Sequence, residues 1–241
     1  MAMNVLVIDV GGTHVKILAS GQKTERRMDS GPTLTATQMV ASVRELAKGW
    51  QYDRVAIGYP GVVVRNRPAT EPHNLGKGWV GFDYEKAFGV PVRIINDAAM
   101  QALGGYKGGK LLFLGFGTGL GTAMIVDGVV VPMELAHLPY RKKTFEDYVG
   151  ERALERDGRK KWRKHVADVI ARLIAALEPE DVVLGGGNAA NIAELPTIAR
   201  IGANSNAFPG GIRLWADGVA ANTTKRAARK VAKRARKTTR K

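Results

Sequence analysis

Apolar runs of five to seven residues, most of them ending in glycine, punctuate this chain. Residues 4–19, NVLVIDVGGTHVKILA, join an apolar run to an alternating run through Gly-Gly, the pattern of a β-hairpin. Residues 37–49 place Met39, Val40, Val43, Leu46 and Ala47 at helical spacing. Residues 54–64, RVAIGYPGVVV, form a strand broken by Gly-Tyr-Pro-Gly, and residues 90–97 form a strand ending in Asn-Asp. That polar pair caps a short predicted helix over residues 98–106. A second glycine-turned hairpin follows at residues 111–128, LLFLGFGTGLGTAMIVDG. Laid over the first without gaps, it sets Gly119 on Gly12 and Gly128 on Gly21, which suggests an internal duplication. Residues 163–177 read as a helix with apolar Val166, Val169, Ile170, Leu173, Ile174 and Leu177, stopped by Pro179. Residues 181–187, DVVLGGG, are a buried strand running into a glycine turn. Strands and helices mixed in this order predict an α/β fold of two lobes with a similar plan.

Length and composition narrow the reading. A chain of 241 residues with 45% hydrophobic and 24% charged residues can build a sizeable core, which excludes a disordered or fibrous chain. Cysteine is absent, so disulfides, thiolate metal sites and cysteine nucleophiles are excluded. No apolar run of membrane-spanning length and no signal-peptide pattern occur, so a cytoplasmic setting is expected. The formal charge of +15 is uneven: residues 225–241 hold 10 of the 37 Lys and Arg and no acidic residue. A mildly basic globule thus precedes a strongly basic tail, expected to be disordered alone and suited to polyanions.

Several clusters carry chemistry. In Asp9-Val10-Gly11-Gly12-Thr13, a Gly-Gly turn bares backbone N–H groups that can cradle phosphate oxygens. Asp9, ending an apolar strand, needs a partner, for which water-bridged Mg²⁺ is suited. Gly117-Thr118-Gly119 forms a second such turn, and Gly185-Gly186-Gly187 a third, suited to a base or ribose lying on bare backbone. Neither a Walker A loop nor an in-register dinucleotide motif is present. Asp97, beside Asn96 at a strand end, is the best candidate general base, although Asn-Asp is also an ordinary helix cap. Glu134, His137 and Glu146 bring carboxylates and an imidazole suited to a polyhydroxyl ligand, and Asn74 adds an amide near Trp79.

Taken in order, IDVGGTHVKI, AIGYPGVV, HNLGKGW, NDAAMQALGGY, FGTGLGTAMIVDG, ELAH and LGGGN resemble the ROK family (repressors, open reading frames and sugar kinases). Within it, the chain is most similar to the glucokinases that use polyphosphate or ATP. The resemblance implies the two-lobed actin-like ATPase fold, a duplicated ribonuclease H-like plan with its site in the interlobe cleft. It implies lobes over residues 1–100 and 101–220, a tail over 221–241, and a homodimer. It also implies that Asp97 takes the proton of the glucose 6-hydroxyl and that Asp9 attends Mg²⁺ through water. Gly11, Gly12, Thr13, Lys16, Gly117, Thr118 and Gly119 would hold donor phosphates, with Gly185, Gly186 and Gly187 on the adenosine side. Asn74, Asn96, Glu134, His137 and Glu146 would hold sugar hydroxyls.

Two departures stand out. Ala136 replaces the family's usual glycine before His137, and the cysteine-rich zinc loop of many members is replaced by a short basic segment over residues 138–144. No zinc is therefore expected. Basic residues at Lys16, Arg141, Lys142, Lys143, Lys160, Lys161, Arg163 and Lys164 favour polyphosphate as donor, or else are solvated faces. Competing readings are an ATP-only hexokinase for another hexose, a general ATP hydrolase of the superfamily, and a non-catalytic sugar sensor whose tail binds a polyanion.

Overall fold

A computed structural model describes residues 3–216. The basic tail, on which the polyanion expectation rests, lies outside the described residues. The first sheet contains β1 (Val5–Val10), β2 (His14–Ala19), β3 (Arg26–Asp29), β4 (Arg54–Tyr59) and, after a two-stranded ribbon of β5 (Val63–Val64) and β6 (Arg67–Pro68), β7 (Val92–Asn96). Its order is β3-β2-β1-β4-β7. The second sheet contains β8 (Lys110–Phe116), β9 (Leu120–Val126), β10 (Val129–Met133) and, after a ribbon of β11 (Pro139–Tyr140) and β12 (Lys143–Thr144), β13 (Asp181–Gly185) and β14 (Ala199–Ile201). Its order, β10-β9-β8-β13-β14, repeats the first. In both, the first three strands are antiparallel and the last two join the first strand in parallel.

The helices repeat as well. Helix α1 (Ala36–Leu46) lies between β3 and β4, after which comes α2 (Tyr84–Phe88). After α4 (Glu146–Val149), α5 (Glu151–Leu177) lies between β10 and β13. Helix α3 (Asp97–Gly105) follows β7 as α6 (Ala207–Arg213) follows β14. The duplication inferred from two hairpins thus extends to the whole plan.

Local sequence accounts for most of these boundaries. Helix α1 opens with a capping box between Thr35 and Gln38 and buries Met39, Val40 and Val43. The sequence placed the start of the long helix at residue 163, but α5 begins at Glu151 and contains a break at Gly158 (φ 73°). Its first part is rich in charge and carries few apolar residues, so periodicity did not reveal it. Tertiary contacts hold it instead: buried Trp162 donates from Nε1 to the Val149 carbonyl at 2.8 Å and meets the Phe116 ring edge-on. At its other end Glu178 adopts a left-handed cap (φ 47°) ahead of Pro179.

Helices α3 and α6 are exchanged between the lobes. Ala98 of α3 faces Gly121 of β9, where a Cβ would touch its methyl group at 3.0 Å. Gly211 of α6 rests on Val7 of β1, and Trp215 donates to the Val55 carbonyl of β4 at 3.3 Å. The two helices pack on each other through glycine: a Cβ at Gly210 would run into the Met100 carbonyl, and one at Gly104 into that of Asn206. A core formed by Val5, Val7, Ala56, Leu111, Phe113, Val183 and both helices therefore joins the sheets. Separate cores cover the outer faces, one under α1 and one under α5. No helix among the described residues is long and apolar enough to cross a membrane.

Candidate active site

In each sheet the chemistry-bearing residues gather where the parallel strands end at their carboxyl sides, the place where open α/β sheets form a crevice. Asp9 lies one residue before the end of β1, paired with Gly58 of β4 on one side and Lys16 of β2 on the other. Tyr59 of β4 pairs with Asn96 of β7, and the chain turns there into α3. Asn96 caps the helix through Oδ1, accepting from Ala99 N at 3.1 Å, while its Nδ2 donates to the Gly61 carbonyl at 3.2 Å. Asp97 Oδ1 accepts from Ala98 N at 2.8 Å. The cap and the candidate base are therefore adjacent residues with separate tasks.

Gly58 lets α3 come close to the sheet: a Cβ there would strike the end of Met100 and lie 3.5 Å from the Asp97 Cα. With Gly121 on the other side, two small residues hold the start of α3 between the sheets. The sequence placed Gly58 in a broken strand but did not reveal this role; a glycine inside an otherwise apolar strand is the signal for it.

Electrostatics distinguish this spot from an ordinary helix cap. Burial raises the Asp97 carboxyl from 3.8 to about 7, the charge of Asp9 adds to the rise, the N–H bond from Ala98 opposes it, and Glu134 raises it further. Burial raises Asp9 from 3.8 to about 6, with Lys16 opposing and Glu25 adding. Three carboxylates from β1, α3 and the segment after β10 thus act on one region, and two of them titrate near neutrality.

Two glycine loops flank this region. At the first, Gly11 N donates to the His14 carbonyl at 2.9 Å, and Ser30 fixes the turn through the Gly11 and Thr13 carbonyls. Gly12 and Thr13 are exposed, and exposed Asn74 packs over Gly12 with its Cβ 3.4 Å from where a Gly12 Cβ would stand. At the second, Gly117 N donates to the Gly119 carbonyl at 3.1 Å and Thr118 stands exposed. Glu146 reaches this loop: its Oε2 accepts from Leu120 N at 3.2 Å, and a Cβ at Gly119 would push the carboxylate away. Helix α5 starts here too, with Glu151 N donating to the Gly117 carbonyl at 3.0 Å.

The third glycine turn packs on the second. Gly186 has φ 83°, a left-handed backbone, and a Cβ there would run into the Phe116 carbonyl. Asn188 N donates to that same carbonyl at 2.9 Å, and Gly187 is exposed beside it. Gly185 faces the Phe113 ring.

Glu134 and His137 are exposed at the two ends of one 3-10 turn, with Ala136 buried between them in the core under α5. The extra methyl of Ala136 is thus accommodated inside the lobe. Lys16 is half-buried opposite Asp9 and lies 3.9 Å from Glu25. The structure therefore couples Asp9, Asp97 and Glu134 electrostatically, stacks Asn74 on Gly12, and joins Glu146 to the second loop, while His137 faces solvent.

Comparison with known proteins agrees with this layout. The model of the ROK family matches residues 5–132. A polyphosphate glucokinase of Mycobacterium tuberculosis (strain ATCC 25618 / H37Rv) is 29% identical over 202 residues, spanning 75% of this chain and 76% of the relative. Among solved structures, an inorganic polyphosphate/ATP-glucomannokinase from Arthrobacter sp. strain KM superposes with a TM-score of 0.74 at 23% identity, covering 87% of this chain and 97% of that one. A glucokinase from Streptomyces griseus, solved with glucose and AMPPNP, gives a TM-score of 0.72 at 16% identity, covering 88% and 98%. With two duplicated sheets, paired glycine loops and the matched motif order, the chain has the two-lobed actin-like ATPase fold and belongs to the ROK family.

Proposed function

We propose that this chain is a sugar kinase that transfers a phosphoryl group from polyphosphate or ATP to the 6-hydroxyl of glucose. The observation that carries this reading is the place of Asp97: a half-buried carboxyl where β7 turns into α3, raised by burial and by the charge of Asp9, with glycine loops following β1 and β8 beside it. Asn74, Asn96, Glu134, His137 and Glu146 hold the sugar hydroxyls. As the 6-oxygen attacks the terminal phosphorus, its proton passes to Asp97, the donor P–O bond breaks, and ADP or a shortened polyphosphate leaves. The N–H groups of Gly12 and Thr13 and of Thr118 and Gly119 spread the charge of the transition state, the Gly11 and Gly117 N–H groups being spent on holding the two loops in shape, and Lys16 adds a cation. Gly185, Gly186 and Gly187 present bare backbone to the nucleoside of ATP. Closure of the lobes, residues 1–100 and 101–220, about α3 and α6 excludes water.

Mg²⁺ fits the donor chemistry of this region, because Asp9 and its neighbours offer hard carboxylate oxygens. Among the described residues no group of three or more His, Cys, Asp or Glu stands ready to enclose an ion. Asp9 would hold it through water, leaving positions for donor phosphates, whose charge it would neutralise.

Polyphosphate is favoured by the course of α5. The helix starts at the second glycine loop and carries Arg159, Lys160 and Lys164 exposed along its first half. Such a track suits a long polyanion better than a single nucleotide. A cytoplasmic homodimer with a polyanion-binding tail completes the proposal. The test is glucose 6-phosphate formation with Mg²⁺ and nucleotide-free polyphosphate, beside ATP alone. Product from polyphosphate, with an apparent KM rising steeply with salt, supports the whole reading. Product from ATP alone refutes the polyphosphate assignment, and absence of product with both donors refutes the glucose kinase assignment.

A further inference from the structure

Two of the candidate sugar ligands, His137 and Glu146, are joined by a single short hairpin. Strands β11 and β12 pair Pro139 with Thr144 and Tyr140 with Lys143, and Arg141 at the tip takes φ 55°. Two-residue strands cannot hold such a ribbon in place by themselves. Phe145 N closes the base of the hairpin on the Leu138 carbonyl at 3.0 Å, and Leu138 N ties that base to the Leu135 carbonyl of the preceding turn at 3.1 Å. Its side chains anchor it at two places: the Thr144 hydroxyl donates to Asp147 Oδ2 of α4 at 2.7 Å, and Tyr140, which is 3% exposed, reaches α5.

The Tyr140 hydroxyl lies 2.7 Å from Asp168 Oδ2 and 3.1 Å from His165 Nδ1, both on α5. A phenol has one proton, and Asp168 accepts it. The second contact therefore runs the other way, with His165 in the tautomer that carries its proton on Nδ1 and donates to the phenolic oxygen. His165 is itself 6% exposed, and burial lowers its pKa, which keeps the ring neutral. Asp168 is held in turn by Arg172, whose Nε donates to Oδ1 at 3.1 Å. The Tyr148 ring completes the enclosure, edge-on to Tyr140 at 5.1 Å.

A phenylalanine would fill this space as well as tyrosine does. The hydroxyl costs desolvation, and what it adds is direction: it fixes where the hairpin sits along α5. We infer that the Tyr140–His165–Asp168 chain is a positioning device for sugar binding, setting the hairpin on α5 so that His137 on one side and Glu146 on the other reach the same ligand. This rests on the sugar-kinase reading for the identity of the ligand. None of the three touches the reacting atoms in this account, so they are positioning residues.

The test uses the full chain with Tyr140→Phe, Asp168→Asn and the double variant. Glucose KM, donor KM and thermal midpoint are measured together, and glucose Kd is read by calorimetry without any donor. Each single variant is expected to raise glucose KM and Kd by roughly three- to thirtyfold, the range for losing a hydrogen bond to a charged group when part of the loss reaches the ligand. The double variant is expected to be no worse than the poorer single one, because both break one chain. Donor KM is expected to stay within about twofold. Asp168 is partly exposed, so Asp168→Asn keeps the test available if Tyr140→Phe folds poorly. A lower thermal midpoint with unchanged glucose Kd in every variant overturns the inference and leaves a purely structural network. A wild-type chain that binds glucose but phosphorylates none overturns the kinase reading instead, while the Kd comparison still decides the role of the network. A wild-type chain that binds no glucose overturns both.

Discussion

Asp97→Asn should make the protein more stable and inactive together, and the pH dependence of the gain identifies the cause. The folded state holds the Asp97 carboxyl at about 7 against 3.8 in an exposed chain, chiefly through burial and the charge of Asp9. Folding therefore favours the protonated form. The resulting stability is fully present below about pH 4 and is lost as pH rises through about 7. A rise of that size sets an upper bound of about 4 kcal/mol. Because the residue is only partly buried, solvent screening reduces this to about 1–2 kcal/mol. Asparagine has the shape of the neutral acid, keeps an oxygen for the Ala98 N–H, and never ionises. At pH 8 the variant should melt roughly 2–8 °C above wild type for a chain of this size. The difference should shrink towards zero near pH 4.5, while sugar phosphorylation falls by at least two orders of magnitude. Thermal melts across this pH range, with turnover measured on the same samples, provide the check. An Asp97→Asn protein equal to or less stable than wild type at pH 8 would refute a base poised by burial and Asp9.

Other consequences follow from the same geometry. The kcat/KM of wild type for the sugar should rise with pH through about 7 as Asp97 deprotonates in the free protein, and a flat profile between pH 5.5 and 8 would exclude it as the base. Gly186→Ala forces a side chain into a left-handed backbone against the Phe116 carbonyl, so it should cost about 1–3 kcal/mol and raise donor KM more than sugar KM. Trp215→Ala removes the Nε1 bond to Val55 and the ring beneath the Arg93 guanidinium, 4.3 Å from its centroid. It should cost about 3–5 kcal/mol and broaden the unfolding transition as α6 loosens from the first sheet, as calorimetry would show.

The parts legible in the sequence were those determined locally. Both hairpins, the strand ending at Asn96 and the strand before Gly185 follow from apolar runs closed by glycine, and α1 follows from its 3.6-residue period. Strand β3, RRMD, was not legible, because an edge strand can be charged and carry no alternating signal. Nor was α6, AFPGGIR, whose proline and two glycines read as a turn. Its proline sits in the first turn, where no N–H is needed, and its glycines permit close approach to α3 and β1. The candidate site showed the same division. Asp9, Asp97 and the glycine loops stood out by residue type and place, whereas the roles of Gly58 and Gly121 in seating α3 depend on a second sheet distant in sequence. The Tyr140–His165–Asp168 chain spans 28 residues between a ribbon and a helix, and no periodicity links them.

The most direct test of the account is glucose 6-phosphate formation followed by ³¹P NMR, with wild type and Asp97→Asn side by side under Mg²⁺ and either donor. The account expects a phosphomonoester signal at the 6-position from wild type and none on the same timescale from Asp97→Asn, with both proteins folded. Comparable product from both proteins would contradict the central role given to the half-buried carboxylate at the start of α3.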